Sequence, residues 1–98
     1  MTDDPPCLLV FFSSTRSGPS RRMESLLAHV ARKERHRVRV LQVDVDARRD
    51  LADRFEVAAA PTLVLVRGTR VVARIDGRAS VPRIEAMLRQ HLEAPAAA

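Results

Sequence analysis

The chain has 98 residues, of which 46% are hydrophobic and 30% are charged, a balance typical of one globular domain rather than of a disordered chain. Its longest unbroken apolar run covers residues 7–12, far short of the roughly 20 residues that cross a bilayer, so we expect no membrane-spanning segment. The single cysteine excludes an internal disulfide and a zinc site built from several cysteines. The acidic N-terminus lacks the basic-then-apolar order of a secretory signal, and the composition predicts a bacterial cytoplasmic protein.

Basic residues outnumber acidic residues by 17 to 12, which gives a formal net charge of +5. Such an excess is compatible with nucleic-acid binding. However, the acids are interleaved with the arginines, and the aromatic residues are three phenylalanines, of which Phe11 and Phe12 lie in the apolar run. Because single-strand binding depends on exposed aromatic platforms, nucleic acid is not the partner we expect.

The first half of the chain predicts a strand, a helix and a strand. Residues 1–7 are expected to hold a disordered leader and the start of a strand, and the run up to Phe12 suits a strand buried on both faces. After Ser20, apolar residues recur at helical spacing until residues 35–37 end the helix. Residues 38–45 are rich in β-branched side chains and predict the second strand. The apolar face of the helix consists of Met23, Leu26, Leu27, Val30 and Ala31.

The next segment predicts a short helix followed by a hairpin. Asp46 is a plausible N-cap for a helix over residues 47–55, which the alanines and proline at 58–61 then end. Residues 62–66 and 71–75 predict two strands, and the glycine between them gives the spacing of a hairpin.

The last segment predicts a helix and completes the order β-α-β-α-β-β-α. Ser80 is expected to cap this helix, since Pro82 is tolerated in a first turn. Residues 94–98 predict a frayed tail, which leaves residues 8–93 as the domain. A strand-helix-strand unit requires a parallel pair, so we expect an α/β fold with a mixed four-stranded sheet flanked by three helices. The helix presents Ile84, Met87, Leu88, His91 and Leu92 on one face.

Two motifs in this order resemble the thioredoxin family. The first runs from Val10 through a polar loop into Ser17-Gly18-Pro19-Ser20, and resembles the strand, the loop and the Trp-Cys-Gly-Pro-Cys motif at the head of the family's first helix. The resemblance covers about residues 8–93 and implies a thioredoxin-like fold. The second motif resembles the family's VDVD, LA, F.V and PT block, and consists of Val43-Asp44-Val45-Asp46, Asp50-Leu51-Ala52, Phe55, Val57 and Pro61-Thr62.

The same positions depart from the chemistry of the family. Ser17 and Ser20 stand where the family motif has two cysteines, and thiol–disulfide exchange needs a thiolate to attack and a sulfur to leave. Arg16 replaces the tryptophan of the motif, and Phe11 occupies the place where the family keeps a buried aspartate as a proton acceptor. These departures favour a redox-inactive protein that is not an enzyme, with no catalytic residue and no cofactor.

The loop before the first helix retains features that suit an anion. The resemblance makes residues 16–20 a pseudo-active site at a helix N-terminus, where free amides and the positive end of the dipole attract negative charge. Arg16, Arg21 and Arg22 surround this point and are the candidate anion-binding residues. The alternative, which we favour, is that Ser17 is an N-cap and that the arginines are solvated.

Ala60, Pro61 and Thr62 resemble the cis-proline loop of the family and are the candidate peptide-binding residues. In that loop, the residue before the proline offers its backbone groups to an extended peptide, which pairs like an added strand. The resemblance implies a cis peptide bond before Pro61, whereas the alternative is an ordinary proline turn. Small side chains in both loops predict a shallow groove between Ser17 and Pro61 that binds a protein or peptide partner.

Cys7 and three histidines are the other candidates for chemistry. Cys7 begins the first strand, on the order of 20 Å from Ser17 along an extended chain. We therefore interpret Cys7 as a small buried hydrophobe rather than as a thiol that links two chains. His29, His36 and His91 share no ligand spacing, so we expect no metal site.

Three functions remain open. The one we favour is a redox-inactive binding module that uses the Ser17 and Pro61 loops. The second is a thiol–disulfide oxidoreductase whose active-site cysteines were replaced by serine, which cysteine codons in the source gene would reveal. The third is a thiol-binding, transferase-like enzyme in which the Ser17 hydroxyl polarises a bound thiol, although the added helical domain of such enzymes has no counterpart in this sequence.

Overall fold

The computed structural model describes residues 7–92, which form four strands and three helices in the predicted order. The predicted leader before Cys7 and the predicted tail at residues 94–98 lie outside the described residues. The elements are β1 (Cys7–Ser13), α1 (Gly18–Lys33), β2 (Val38–Asp44), α2 (Arg49–Arg54), β3 (Thr62–Arg67), β4 (Arg70–Asp76) and α3 (Val81–Leu92).

The four strands form one mixed sheet in the order β2-β1-β3-β4. β1 runs parallel to β2 and antiparallel to β3, and β4 pairs antiparallel with β3. The apolar run of the sequence therefore forms a central strand with a neighbour on each side, as its unbroken hydrophobicity predicts. The mixed sheet and the flanking helices confirm the predicted fold class.

Alternate residues of the central strands point to opposite faces of the sheet and build two separate cores. The core under α1 and α3 consists of Cys7, Leu9, Phe11, Met23, Leu27, Val30, Val38, Leu63, Leu65, Ile75, Ala79, Ile84, Met87 and Leu88. The core under α2 consists of Val10, Phe12, Val43, Ala52, Val57, Val64 and Val66. One face thus carries two long helices, whereas the other carries a helix of only six residues.

The caps of the helices follow the sequence in two cases out of three. Ser17 caps α1, and the Ser80 hydroxyl accepts a hydrogen bond from the Arg83 amide at the start of α3. The prediction that Asp46 caps the middle helix is wrong, because α2 begins at Arg49 and has no side-chain cap. Asp46 instead lies in the turn that precedes α2, where the Ala47 and Arg48 amides donate to the Asp44 carbonyl, and its carboxylate accepts a hydrogen bond from the Ser14 hydroxyl at 2.8 Å.

Candidate functional site

The loop between β1 and α1 is shaped by hydrogen bonds that close the start of the helix. The Ser17 side-chain oxygen accepts a hydrogen bond of 3.1 Å from the Ser20 amide, and the Ser17 amide donates to the Ser14 carbonyl at 3.1 Å. Ser17 is therefore an N-cap, as the structural interpretation of the motif predicts. Its hydroxyl already accepts one hydrogen bond, and the residue is half-buried.

A polar network ties this loop to the neighbouring strand. The buried Ser13 hydroxyl accepts a hydrogen bond of 3.0 Å from the Gln42 amide group, which also donates to Glu24 at 3.2 Å. The Ser14 hydroxyl donates to Asp46. The carboxylates of Glu24 and Asp46 thus lie near this loop, whereas the sequence motif drew attention only to its arginines. No motif reveals this network, because Ser13 lies 29 residues from Gln42 and Ser14 lies 32 from Asp46.

Ser20, which the resemblance aligns with the second cysteine of the family motif, is fully buried, with 0% of its surface exposed. Its hydroxyl has no hydrogen-bond partner within the described residues. A buried hydroxyl without a partner costs about 1–3 kcal/mol, whereas a thiol behaves as a small hydrophobe and is cheap to bury. The surroundings of Ser20 thus offer its hydroxyl no polar partner, and a thiol at this position would need none.

The three candidate anion-binding arginines are exposed, and none forms an ion pair within residues 7–92. A Cβ added at Gly18 would lie 3.5 Å from Nη1 of Arg22, so this guanidinium lies over the first turn of α1. Arg21 and Arg22 line an open depression together with Gly18 and Glu24. Arg16 does not line this depression, and the Glu24 carboxylate offsets part of the positive charge there.

The loop before β3 presents a free stretch of backbone. The peptide bond between Ala60 and Pro61 is cis, the isomer that the resemblance implies. The Pro61 carbonyl accepts a hydrogen bond from Gly77 at 2.8 Å, and the Thr62 hydroxyl donates to the Ala59 carbonyl at 2.8 Å. Within residues 7–92, the amide and carbonyl of Ala60 form no hydrogen bond. Thr62 is buried and fixes the loop, so the group left for a ligand is the Ala60 backbone.

The sheet brings the two loops to the same end of its central strands, which we call the Ser17 and Pro61 edge. Phe12 near the end of β1 is the register partner of Thr62 at the start of β3. The loop that follows β1 and the loop that precedes β3 therefore leave the sheet side by side. This placement is what the groove prediction requires of the fold.

Cys7 lies at the other end of β1, is 3% exposed and belongs to the core under α1 and α3, as predicted. Phe11 is also fully buried in that core, at the position where the resemblance implies a proton acceptor in the family. Within residues 7–92, no three His, Cys, Asp or Glu side chains are close enough to hold a metal ion. Among the helices of the same range, none has the length and hydrophobicity to cross a membrane.

Comparisons with known proteins agree with this geometry. The thioredoxin family model matches residues 2–90. Thioredoxin-1 of Drosophila melanogaster is 35% identical over 76% of this chain and 69% of its own length. A bifunctional thioredoxin reductase/thioredoxin of Mycobacterium leprae is 34% identical over 71% of this chain, which spans only 15% of that protein. A mutant thioredoxin from Halobacterium salinarum superposes with a TM-score of 0.85 at 25% identity, covering 94% of this chain and 80% of its own. The chain belongs to the thioredoxin family.

Proposed function

We propose that this protein is a redox-inactive thioredoxin-family module that binds an extended segment of a partner protein at the edge formed by the Ser17 and Pro61 loops. The observation that carries the proposal is the pairing of two features at one edge. The motif serines are an N-cap and a buried residue, while the Ala60 backbone beside them has no partner within the described residues. The two serines supply no sulfur for thiol–disulfide exchange, whereas the Ala60 amide and carbonyl are available to bind a peptide.

The absence of exchange follows from the chemistry of the two serines. A disulfide exchange forms one sulfur–sulfur bond while breaking another, so both attacking and leaving atoms must be sulfur. A serine hydroxyl stays protonated near neutral pH and forms no stable mixed disulfide. Cys7 is buried in the core at the opposite end of β1, where it cannot replace a thiol at Ser17.

The binding mode follows from backbone geometry and charge. An extended peptide that donates to the Ala60 carbonyl and accepts from the Ala60 amide would pair as an added strand. Arg21 and Arg22 lie beside the first turn of α1 and favour acidic side chains in that peptide. Glu24 opposes them, so we expect a preference for acidic segments rather than an absolute requirement.

Two assays test the proposal together. In an insulin-reduction assay with a thiol reductant, the protein should add nothing to the turbidity produced by the reductant alone, and turnover above that background would refute redox inactivity. In a fluorescence-anisotropy titration with an extended acidic peptide, the Arg22→Glu variant should bind several-fold more weakly than the unchanged protein. Arg32→Glu, an exposed change in the last turn of the same helix, is the matched control and should bind normally.

The second candidate function is that of a thiol–disulfide oxidoreductase whose active-site cysteines were replaced by serine in this chain. The orphaned hydroxyl of Ser20 favours it, because a fold that evolved with serine at this position would be expected to give the oxygen a partner. Cysteine codons at positions 17 and 20 in the source gene would decide for this candidate.

A further inference from the structure

The sheet face that α2 covers is left partly open. Leu8, Val66 and Val71 are register partners across β1, β3 and β4 at the end away from α2. Leu41 lies on the same face of β2, opposite Val10 and two residues beyond Arg39, the register partner of Leu8. Leu41 is 46% exposed and Val71 is 49% exposed, and these are the two exposed large hydrophobic residues in the described part of the chain. We call these four residues the open sheet face.

The open sheet face exists because α2 is short. Its six residues, with the turn that follows, cover the end of the sheet near Phe12, where the Phe55 ring lies 5.7 Å from the Phe12 ring. The opposite face is covered by α1, with 16 residues, and by α3, with 12. An apolar surface that crosses all four strands is more than the scattered single hydrophobic residues of an ordinary surface.

A groove of about 650 Å³ runs along this surface. Leu8, Val66 and Val71 form its apolar floor, and Phe55 lines it on the side of α2. Gly68 and Thr69 of the β3–β4 hairpin complete the wall. The groove is concave, so a flat lipid surface would not fill it.

The rim of the open sheet face is basic. Arg54 lines the groove, and Arg39 is the register partner of Leu8; neither forms an ion pair within residues 7–92. Arg74 also lines the groove, but its guanidinium is engaged with the Phe55 and Glu56 carbonyls and with Asp76. Glu56 is the one acidic residue among those that line it. One unpaired arginine therefore lines the groove, and a second is the strand neighbour of Leu8 in its apolar floor.

We propose that the open sheet face docks an acidic amphipathic helix of a partner protein. Three strand spacings of about 4.8 Å separate β2, which holds Leu41, from β4, which holds Val71. The surface is therefore about 14 Å wide across the strands and matches about ten helical residues at 1.5 Å each. Apolar side chains at helical spacing would fill the floor, and flanking carboxylates would meet Arg39 and Arg54. A second copy of this chain is disfavoured, because a two-fold contact would place these arginines near their own equivalents.

The test uses two synthetic helical peptides that share one leucine face and differ only in having glutamate or lysine on the flanks. Binding is followed by fluorescence anisotropy on the whole chain. The glutamate peptide should bind, the lysine peptide should bind at least tenfold more weakly, and the double variant Arg39→Glu/Arg54→Glu should lose about tenfold in affinity for the glutamate peptide. Arg83→Glu, an exposed change on α3, which covers the other face of the sheet, is the control and should bind normally.

Other outcomes overturn the proposal. Equal binding of both peptides, binding of neither, or indifference to the double variant would each exclude an acidic helix as the occupant. Sedimentation as a dimer that Leu41→Glu dissociates would assign the face to a second copy, and stronger binding to phosphatidylserine vesicles than to the glutamate peptide would assign it to lipid. The proposal is independent of the Ser17 and Pro61 edge, so Arg22→Glu should leave binding of the glutamate helix unchanged.

Discussion

Ser20 and Phe11 are the two buried residues on which the proposal of redox inactivity most depends. Both are 0% exposed, and the resemblance places them where the family has a cysteine and a buried aspartate. Ser20 brings an oxygen to a site suited to sulfur, and Phe11 brings a ring to a site that holds a carboxylate in the family. We expect the Ser20 hydroxyl to lower the free energy of unfolding, and we expect Phe11 to remove the proton acceptor that thiol–disulfide exchange uses.

Ser20→Ala should raise the free energy of unfolding by about 1 kcal/mol, because it removes a buried hydroxyl that has no partner within the described residues. The gain is measured by urea denaturation. Ser25→Ala is the matched control, since Ser25 is exposed on the same helix and its replacement changes only helix propensity. A Ser20→Ala gain no larger than that of Ser25→Ala would mean that the hydroxyl is satisfied in solution.

Restoring both cysteines should give at most a poor reductase. In Ser17→Cys/Ser20→Cys the first thiol would lie at a helix N-terminus beside Arg16, which should lower its pKa and make the disulfide more oxidising. Phe11 would still provide no proton acceptor. The measurement is insulin turnover together with the reduction potential of the double variant. A rate and potential equal to those of an ordinary thioredoxin would show that Phe11 and Arg16 are not obstacles.

Among the elements, α1 and α3 are joined at their exposed edges by an ion pair. The Lys33 ammonium lies 2.7 Å from a Glu85 carboxylate oxygen. The hydrogen bond from Lys33, followed by its charge, lowers the pKa of Glu85, and the same bond raises the pKa of Lys33. The Lys33 side chain is exposed and that of Glu85 is half-buried, so the pair remains in contact with solvent and its contribution to stability is small and screened by salt.

The Lys33–Glu85 pair predicts a pH dependence with a definite sign. A lowered pKa of Glu85 in the folded state gives stability that is present above the ordinary glutamate pKa and is lost as the pH falls through the folded value. Glu85→Gln should therefore be less stable than the unchanged protein at neutral pH, and the difference should vanish at acid pH. Asp53→Asn, which removes an exposed acid that forms no ion pair within residues 7–92, is the control and should show no such trend. A Glu85→Gln difference that stays constant with pH would contradict the assignment.

The elements themselves were predictable from the sequence because each depends on local periodicity. The run from Cys7 to Phe12 and the apolar face of α1 match the observed β1 and α1 within a few residues. The error at Asp46 has a different origin. Its carboxylate accepts a hydrogen bond from Ser14, which lies 32 residues away, so no local sequence pattern reveals this contact. The Ser13–Gln42–Glu24 network could not be predicted for the same reason, since its members are distant in sequence. The open sheet face could be identified only from the strand register.

For the whole molecule, the net charge of +5 implies association that depends on ionic strength. Binding of an acidic peptide at the Ser17 and Pro61 edge should weaken from low to high salt, since exposed charges are screened over about 8 Å at physiological ionic strength. The double reversal Arg16→Glu/Arg22→Glu should remove most of this salt dependence without unfolding the domain, because both side chains are exposed. Anisotropy titrations at two salt concentrations measure this salt dependence. An affinity that changes neither with salt nor with the double reversal would mean that the arginines serve only solubility.

The most direct test of the binding proposal is an amide chemical-shift titration of the whole chain with an extended acidic peptide. Strand-type pairing predicts that the Ala60 amide shifts most, together with the amides of residues 17–22 at the start of α1. The amides at the opposite end of the strands, around Arg39, should be unaffected. Saturable binding that leaves the Ala60 amide unperturbed, or shifts confined to residues far from both loops, would contradict the proposed function.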